Sequence, residues 1–122
     1  MRTRKLQWLA AASVVFALSS SAGAVEMFTS ALQIRPGEVV TCSAANSANS
    51  AQEIFVELLD GGASLLGPQD CVAVKPRGVC RQVASFQPSD DHFVSCRITA
   101  SSRAAVRGLI ENDTRGNSSP AR

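Results

Sequence analysis

Short apolar runs separated by turn residues fill the chain from Val25 to Glu111, and this rhythm constrains the fold more than any other feature. Residues 38–45, 53–60 and 93–100 alternate apolar and polar side chains with the period of half-buried strands. Turn-forming residues separate the runs at Pro36-Gly37, Asn46 to Ser50, Asp60 to Gly62, Pro76 to Gly78, Pro88 to Asp91 and Ser101-Ser102.

Further candidate strands bring the count to about seven, the number found in an immunoglobulin-like sandwich. These candidates are residues 27–34, 71–74, 79–86 and 104–110. No comparable stretch keeps a helical period. The sequence therefore predicts an all-β, immunoglobulin-like antiparallel β-sandwich.

The first 24 residues have the organisation of a secretory signal peptide. Arg2, Arg4 and Lys5 form a positive segment, residues 6–18 are almost uninterruptedly apolar, and small residues end at Ala24. We therefore expect cleavage after Ala24. The apolar run is shorter than the roughly 20 residues that span a bilayer, so we expect no membrane anchor. These features predict an exported protein, periplasmic or secreted.

Removing the predicted leader reverses the charge balance of the chain. Three of the 12 Lys and Arg residues lie in the leader, whereas all 10 Asp and Glu residues lie beyond it. The remaining net charge is about −1, and no cluster of basic residues remains in the sequence. We therefore expect no nucleic-acid partner.

Three segments follow from these patterns: a signal peptide at 1–24, a β-sandwich domain at 25–111 and a disordered C-terminal tail at 112–122. The tail is polar and contains almost no apolar side chain that could compensate for the entropy of ordering it. It also contains two matches to the N-glycosylation pattern, at Asn112 and Asn117, which we interpret as chance matches.

Four cysteines follow the leader, and an even number in an exported chain predicts two disulfides. Of the three possible pairings, we favour Cys42–Cys96 with Cys71–Cys80. By parity, Cys42 and Cys96 point into the core from strands that belong to opposite sheets. Zinc is the competing interpretation, but the sequence has no Cys-x-x-Cys pair and a single histidine.

The second predicted disulfide flanks the sequence Lys75-Pro76-Arg77-Gly78, which fits a type I turn. In that register Cys71 and Cys80 share a face but are one pair out of step. A bulge or a wider loop is needed to bring them together. We expect a superficial disulfide on a hairpin.

Several short motifs are spread over most of the chain beyond the leader. They are Val40 to Asn46, Asp60-Gly61, the Cys71 to Cys80 segment with its Pro and Gly, Ser95 to Thr99, and Val106 to Gly108. With these motifs the chain resembles a loose group of uncharacterised small secreted bacterial proteins. The resemblance implies a β-sandwich and export, without any activity.

A hairpin of residues 93–100 and 104–110 would place Arg97 opposite Arg107, with Glu57 on the neighbouring strand. Like charges in such a pair are unfavourable unless a negative group lies between them. A solvated salt-bridge cluster is one interpretation, and a site for an anion or for a partner's carboxylate is the other. By parity, the same outward face shows Phe55, Leu59, Phe93 and Leu109, so it could bind a protein or be covered by another layer.

No catalytic motif and no cofactor or metal motif stands out. His92 follows two aspartates at the start of a predicted strand, but one histidine cannot build a usual zinc or copper site. We interpret the preceding residues, Pro88 to Asp91, as a polar turn. Stacking platforms for sugars or bases are lacking, because there is no Tyr and the only Trp is Trp8.

We therefore expect a non-enzymatic exported module that binds a protein or anionic partner, or has a structural role. The candidate binding face comprises Phe55, Glu57, Phe93, Arg97 and Arg107. The alternative is a small hydrolase inhibitor that presents Lys75 and Arg77 on the loop between Cys71 and Cys80.

Overall fold

The computed structural model describes residues 24–86 and 91–122, and they form two antiparallel β-sheets. The predicted signal peptide lies outside the described residues, apart from Ala24. The strands are β1 (Val25–Phe28), β2 (Leu32–Ile34), β3 (Val39–Asn46), β4 (Gln52–Asp60), β5 (Ala63–Ser64), β6 (Gln69–Val74), β7 (Val79–Ser85), β8 (His92–Ala100), β9 (Val106–Asn112) and β10 (Asn117–Pro120).

Sheet A is built around the pair β4 and β8. β1 and β2 lie one after the other along the free side of β8, and β5 and β6 do the same along β4. Sheet B has the order β10-β9-β3-β7. Across the described parts of the chain, no helix has the length and apolar character needed to cross a membrane.

The core lies between the two sheets, and the predicted alternation is confirmed on its three main strands. The inward residues of β3, β4 and β8 are almost fully buried, whereas most of their sequence neighbours point outward. They are Val40, Cys42 and Ala44 on β3, Ile54, Val56 and Leu58 on β4, and Val94, Cys96, Ile98 and Ala100 on β8. The all-β prediction is therefore correct, with two antiparallel sheets.

The predicted hairpin between residues 93–100 and 104–110 is wrong. A short 3₁₀ turn, Arg103–Ala105, carries the chain from β8 in sheet A to β9 in sheet B, where β9 pairs with β3. The alternation in residues 104–110 shows only that one face of this strand is turned to the core. Because both sheets face the same core, the pattern fits a strand in either sheet. In an immunoglobulin constant domain the last two strands, F and G, lie in the same sheet, whereas here β8 and β9 lie in opposite sheets.

The placement of β9 depends on a close approach at Gly108. This residue lies opposite Ala44 on β3, and a Cβ atom added to it would collide with the Cδ1 atom of Ile98 in sheet A. Two small residues side by side in sheet B therefore make room for a large side chain from sheet A. This is a specific packing requirement that alternation alone does not reveal.

The predicted disordered tail is also wrong, because residues 117–120 form β10 on the edge of sheet B. Asn112 is fully buried, and its Oδ1 atom accepts hydrogen bonds from the Thr114 and Arg115 amides. Gly116 follows with a φ of +81°, which suits glycine. The number of apolar residues in the segment does not reveal this polar turn, which orders the segment. The turn also contains the first match to the N-glycosylation pattern, at Asn112.

The two sheets are joined at both sides of the sandwich. On one side, Arg122 exchanges backbone hydrogen bonds of 3.0 Å with Phe28, so the chain joins sheet B to the β1 edge of sheet A. On the other side, the Cys71–Cys80 disulfide joins β6 of sheet A to β7 of sheet B. The two sheets are therefore linked at their centre and along both margins.

Candidate functional site

Four of the five residues predicted to form a binding face lie together on the outer surface of sheet A. Phe55 and Glu57 come from β4, and Phe93 and Arg97 come from β8. Arg107 does not belong to this group, because β9 lies in sheet B, where Arg107 pairs with Ala45. Including Arg107 in the face was therefore wrong, and the two arginines do not form a joint anion site.

Glu57 and Arg97 lie directly opposite each other and form an ion pair. The Nε atom of Arg97 donates to Oε1 of Glu57 at 3.1 Å, and its Nη2 atom donates to the same oxygen. The Glu57 side chain is only 7% exposed, whereas that of Arg97 is 36% exposed. Strand parity predicted that Glu57 and Arg97 lie next to each other, and the structure has them as neighbours.

Hydrogen bonding tunes both members of this pair. The pKa of Glu57 lies below its usual value, because Ser64 and Arg97 donate hydrogen bonds to its carboxylate and outweigh the opposing effect of burial. The pKa of Arg97 is raised, mainly by its hydrogen bond to Glu57. Arg97 is therefore a largely compensated charge that is held in place, and it attracts a free anion only weakly.

Two phenylalanines give this surface an apolar character. Phe93 is 59% exposed and Phe28 is 46% exposed. Phe28 lies opposite Arg97 on β1 and was missed by sequence reasoning. Its signal was present, because buried Met27 stands between outward-facing Glu26 and Phe28. Of the other apolar residues predicted on this face, Leu59 is buried and Leu109 belongs to sheet B.

A shallow groove crosses the middle of this surface and has a volume of about 350 Å³. Its walls combine the Glu57–Arg97 pair with the Phe55 ring. The remaining lining residues are Glu26, Pro68 and Thr99. Their backbones are fixed by one ladder, since Thr99 pairs with Glu26 on one side and with Phe55 on the other. The groove is therefore built on a rigid sheet.

The surface is acidic. Glu53 and Asp70 lie close together on β4 and β6, and the charge of Asp70, with a smaller effect from burial, raises the pKa of Glu53. Glu26 adds a third exposed carboxylate. We call the whole surface the acidic aromatic face, defined by Glu26, Phe28, Glu53, Phe55, Glu57, Asp70, Phe93 and Arg97.

Both predicted disulfides are present, but the second has a different setting from the one expected. Cys42–Cys96 crosses the core with a Cα–Cα distance of 5.7 Å. Cys71–Cys80, at 5.9 Å, also joins the two sheets and is not on a hairpin. Cys80 is only 1% exposed, so the expectation of a superficial disulfide was wrong.

An irregularity in β6 brings Cys71 to its partner. Gln52 pairs with Val74 and Ile54 pairs with Cys71, so β6 has one extra residue relative to β4. The extra residue lets Cys71 and Val74 both turn toward the core, while Val72 remains 70% exposed. The geometric need for a bulge was foreseen, although its partner strand was not.

The turn proposed as an inhibitory loop is tight and firmly anchored. Gly78 donates to the Lys75 carbonyl at 2.7 Å, and Arg77 has a φ of +69°. This conformation corresponds to a type II turn and not to the predicted type I. The Arg77 amide also donates to the carbonyl of buried Asn46 at 2.8 Å. Lys75 and Arg77 are exposed, but no observation favours the inhibitor hypothesis, which stays a prediction.

The His92 side chain contacts two neighbouring side chains, Asp60 and Phe86. Its Nδ1 atom lies 2.7 Å from Oδ2 of Asp60, and its ring stacks on Phe86 with centroids 4.5 Å apart. Most of the predicted turn before it, Pro88 to Asp91, lies outside the described residues, because only Asp91 is described. In residues 24–86 and 91–122, no three His, Cys, Asp or Glu side chains are grouped so that they could hold a metal ion.

Comparisons with known proteins identify no relative. No protein-family model matches the sequence, and neither the curated proteins nor the solved structures yield a match. The resemblance to small secreted bacterial proteins therefore stays a prediction. Function must be inferred from side-chain geometry, burial and charge.

Proposed function

We propose that the protein is an exported, non-enzymatic binding module that holds a protein partner on its acidic aromatic face. The observation that carries this proposal is the exposure of Phe28 and Phe93, 46% and 59%, on the outer surface of a single sheet. Exposed aromatic side chains bordered by charged groups are typical of protein interfaces. A rigid sheet presents them without a large ordering cost on binding.

The charge of the face defines the chemistry of the partner. Three exposed carboxylates, from Glu26, Glu53 and Asp70, accompany an arginine that Glu57 already compensates. A free anion would be repelled by this arrangement, whereas a protein surface with Lys or Arg around an apolar centre would be complementary. We therefore narrow the partner to a protein with a basic rim.

Export and an immunoglobulin-like sandwich fold belong to the same proposal. Two disulfides favour an oxidising compartment, as does the predicted leader. The Cys42–Cys96 bridge joins the two sheets across the core, as the central disulfide does in immunoglobulin domains. The placement of β9 in sheet B is then a departure from the constant-domain arrangement.

The experiment is capture of partners from the native exported fraction with three baits. They are the wild type, a Phe28→Thr/Phe93→Thr variant and a matched Val79→Thr/Val83→Thr variant. The control removes apolar side chains of similar exposure, 47% and 48%, from sheet B. We expect the wild type and the control to retain the same proteins and the phenylalanine variant to lose them. Equal retention by all three baits would contradict the proposal.

A further inference from the structure

Three arginines line a groove where the C-terminal segment meets β9, on the side of the molecule away from the Cys71–Cys80 disulfide. The groove has a volume of about 310 Å³. Arg103 comes from the 3₁₀ turn, Arg107 from the outer surface of sheet B and Arg122 from the segment after β10. The groove borders the acidic aromatic face at β1, where Arg122 bonds to the Phe28 backbone, but its three arginines are not part of that face. The inference below does not depend on the proposed function.

The described residues give these three arginines no carboxylate. Two other arginines of the described chain are ion-paired, Arg97 with Glu57 and Arg115 with Glu38. The residues that line the groove include no acidic side chain. Three arginines around one small groove give it a positive potential, which favours the binding of an anion there.

The backbones that carry the arginines are fixed. Arg122 exchanges two backbone hydrogen bonds with Phe28, and the Ala121 amide donates to the Gly108 carbonyl at 2.9 Å. The Ser47 amide donates to the Ala105 carbonyl at 2.8 Å, which holds the 3₁₀ turn in place. A ligand would therefore meet guanidinium groups on a prepared framework, and only their side chains would need to be ordered.

The floor of the groove is apolar. Met27 and Val106, each 4% exposed, line the groove together with the arginines. Charge-assisted hydrogen bonds are stronger beside such a surface than in open water. The volume lies at the small end of the range for ligand sites, which suits a compact ligand group.

We propose that this groove, lined by Arg103, Arg107 and Arg122, binds a phosphate-type oxyanion with more than one negative charge. The guanidinium fork matches phosphate oxygens in pairs, and a multiply charged group is needed to balance three arginines. Soluble phosphate esters and phospholipid headgroups both carry this chemistry. The probes below distinguish the two sources.

The test measures binding of inorganic pyrophosphate at constant ionic strength, and of vesicles made from phosphatidylcholine and phosphatidic acid. An Arg103→Gln/Arg107→Gln variant is compared with Lys75→Gln/Arg81→Gln, which removes the same charge from exposed positions outside the groove. We expect saturable binding to the wild type and the control, and a loss of about tenfold or more in the groove variant.

Binding of either probe that depends on the groove supports the proposal, and the probe that binds identifies the source of the phosphate. Two results would overturn it. One is the absence of saturable binding of both probes to the wild type. The other is equal weakening in the groove and control variants, which would show general attraction to positive charge. Thermal unfolding of each variant without ligand confirms that the fold is retained.

Discussion

The outer surfaces of the two sheets differ in both charge and apolar character. Sheet A presents phenylalanines among carboxylates, and its arginine is paired with Glu57. Sheet B presents the smaller Val79 and Val83 beside exposed Arg81 and Arg107, for which the described residues supply no ion pair. The inward residues of both sheets share one core, so the difference lies entirely in the outward positions. The exposed members of those positions are free of packing requirements, which makes them the place to look for function.

The largest loss of stability should come from removing the Cys42–Cys96 disulfide, which links the two sheets across the core. Cys42–Cys96 closes a separation of 54 residues and Cys71–Cys80 one of 9. In the chain-entropy model these loops stabilise by about 4 and about 3 kcal/mol. We expect Cys42→Ala/Cys96→Ala to lower the free energy of unfolding more than Cys71→Ala/Cys80→Ala, as measured by denaturant titration. A larger loss in Cys71→Ala/Cys80→Ala would indicate that the disulfide at the side of the sandwich, and not the one across the core, contributes more to holding the two sheets together.

The next effect tests whether β9 belongs to sheet B. Gly108→Val should destabilise by about 2–3 kcal/mol, because the new side chain would collide with Ile98 of the opposite sheet. Glu111→Val is the matched control on the same strand, since Glu111 pairs with outward-facing Thr41 and lies away from Ile98. Thermal unfolding measures both. Equal small effects would mean that β9 does not lie over Ile98.

A smaller effect concerns the buried carboxylate of sheet A. The folded-state pKa of Glu57 lies below the ordinary value of 4.5, so its stabilisation is complete above that value and is lost as the pH falls through the folded-state pKa. We expect Glu57→Gln to cost about 1 kcal/mol at neutral pH and much less once the pH has fallen below the folded-state pKa. Glu111→Gln is the control, because none of the ion pairs among the described residues involves Glu111. A pH-independent cost of Glu57→Gln would contradict the assigned ion pair.

The smallest effect has the opposite sign. Asp70 raises the pKa of Glu53, so ionisation of Glu53 destabilises the folded state above its folded-state pKa and has no effect below the ordinary value of 4.5. Asp70→Asn should therefore raise the unfolding midpoint slightly at neutral pH and leave it unchanged in acid. An Asp91→Asn variant, away from this pair, is the control. A lowered unfolding midpoint at neutral pH would show that the Glu53 and Asp70 carboxylates do not repel each other in the folded state.

Much of the core could be predicted from the sequence, because strand alternation reports directly on burial. The same parity placed Cys42 opposite Cys96 and Glu57 beside Arg97, both of which are present. Parity does not say which sheet a strand joins, and for that reason Arg107 was assigned to the wrong surface. The choice depends on the close contact between Gly108 and Ile98, which involves residues of different strands.

The ordered C-terminal segment could not be predicted from apolar content. Its stability comes from polar contacts that join distant parts of the chain. The Nε atom of Arg115 lies 2.8 Å from Oε2 of Glu38, and Oγ1 of Thr41 donates to Oδ2 of Asp113 at 2.6 Å. Such pairs are separated by more than 70 positions, and no local pattern identifies them. The arginine groove beside this segment was missed for the same reason.

Site-specific photo-crosslinking tests the proposed binding face most directly. A photoreactive phenylalanine analogue is placed at position 93 on sheet A or, as the matched control, at position 83 on sheet B, and the protein is irradiated in its native exported environment. The account predicts a discrete protein adduct from position 93 and none from position 83. Adducts of equal yield from both positions, or an adduct from position 83 alone, would contradict it.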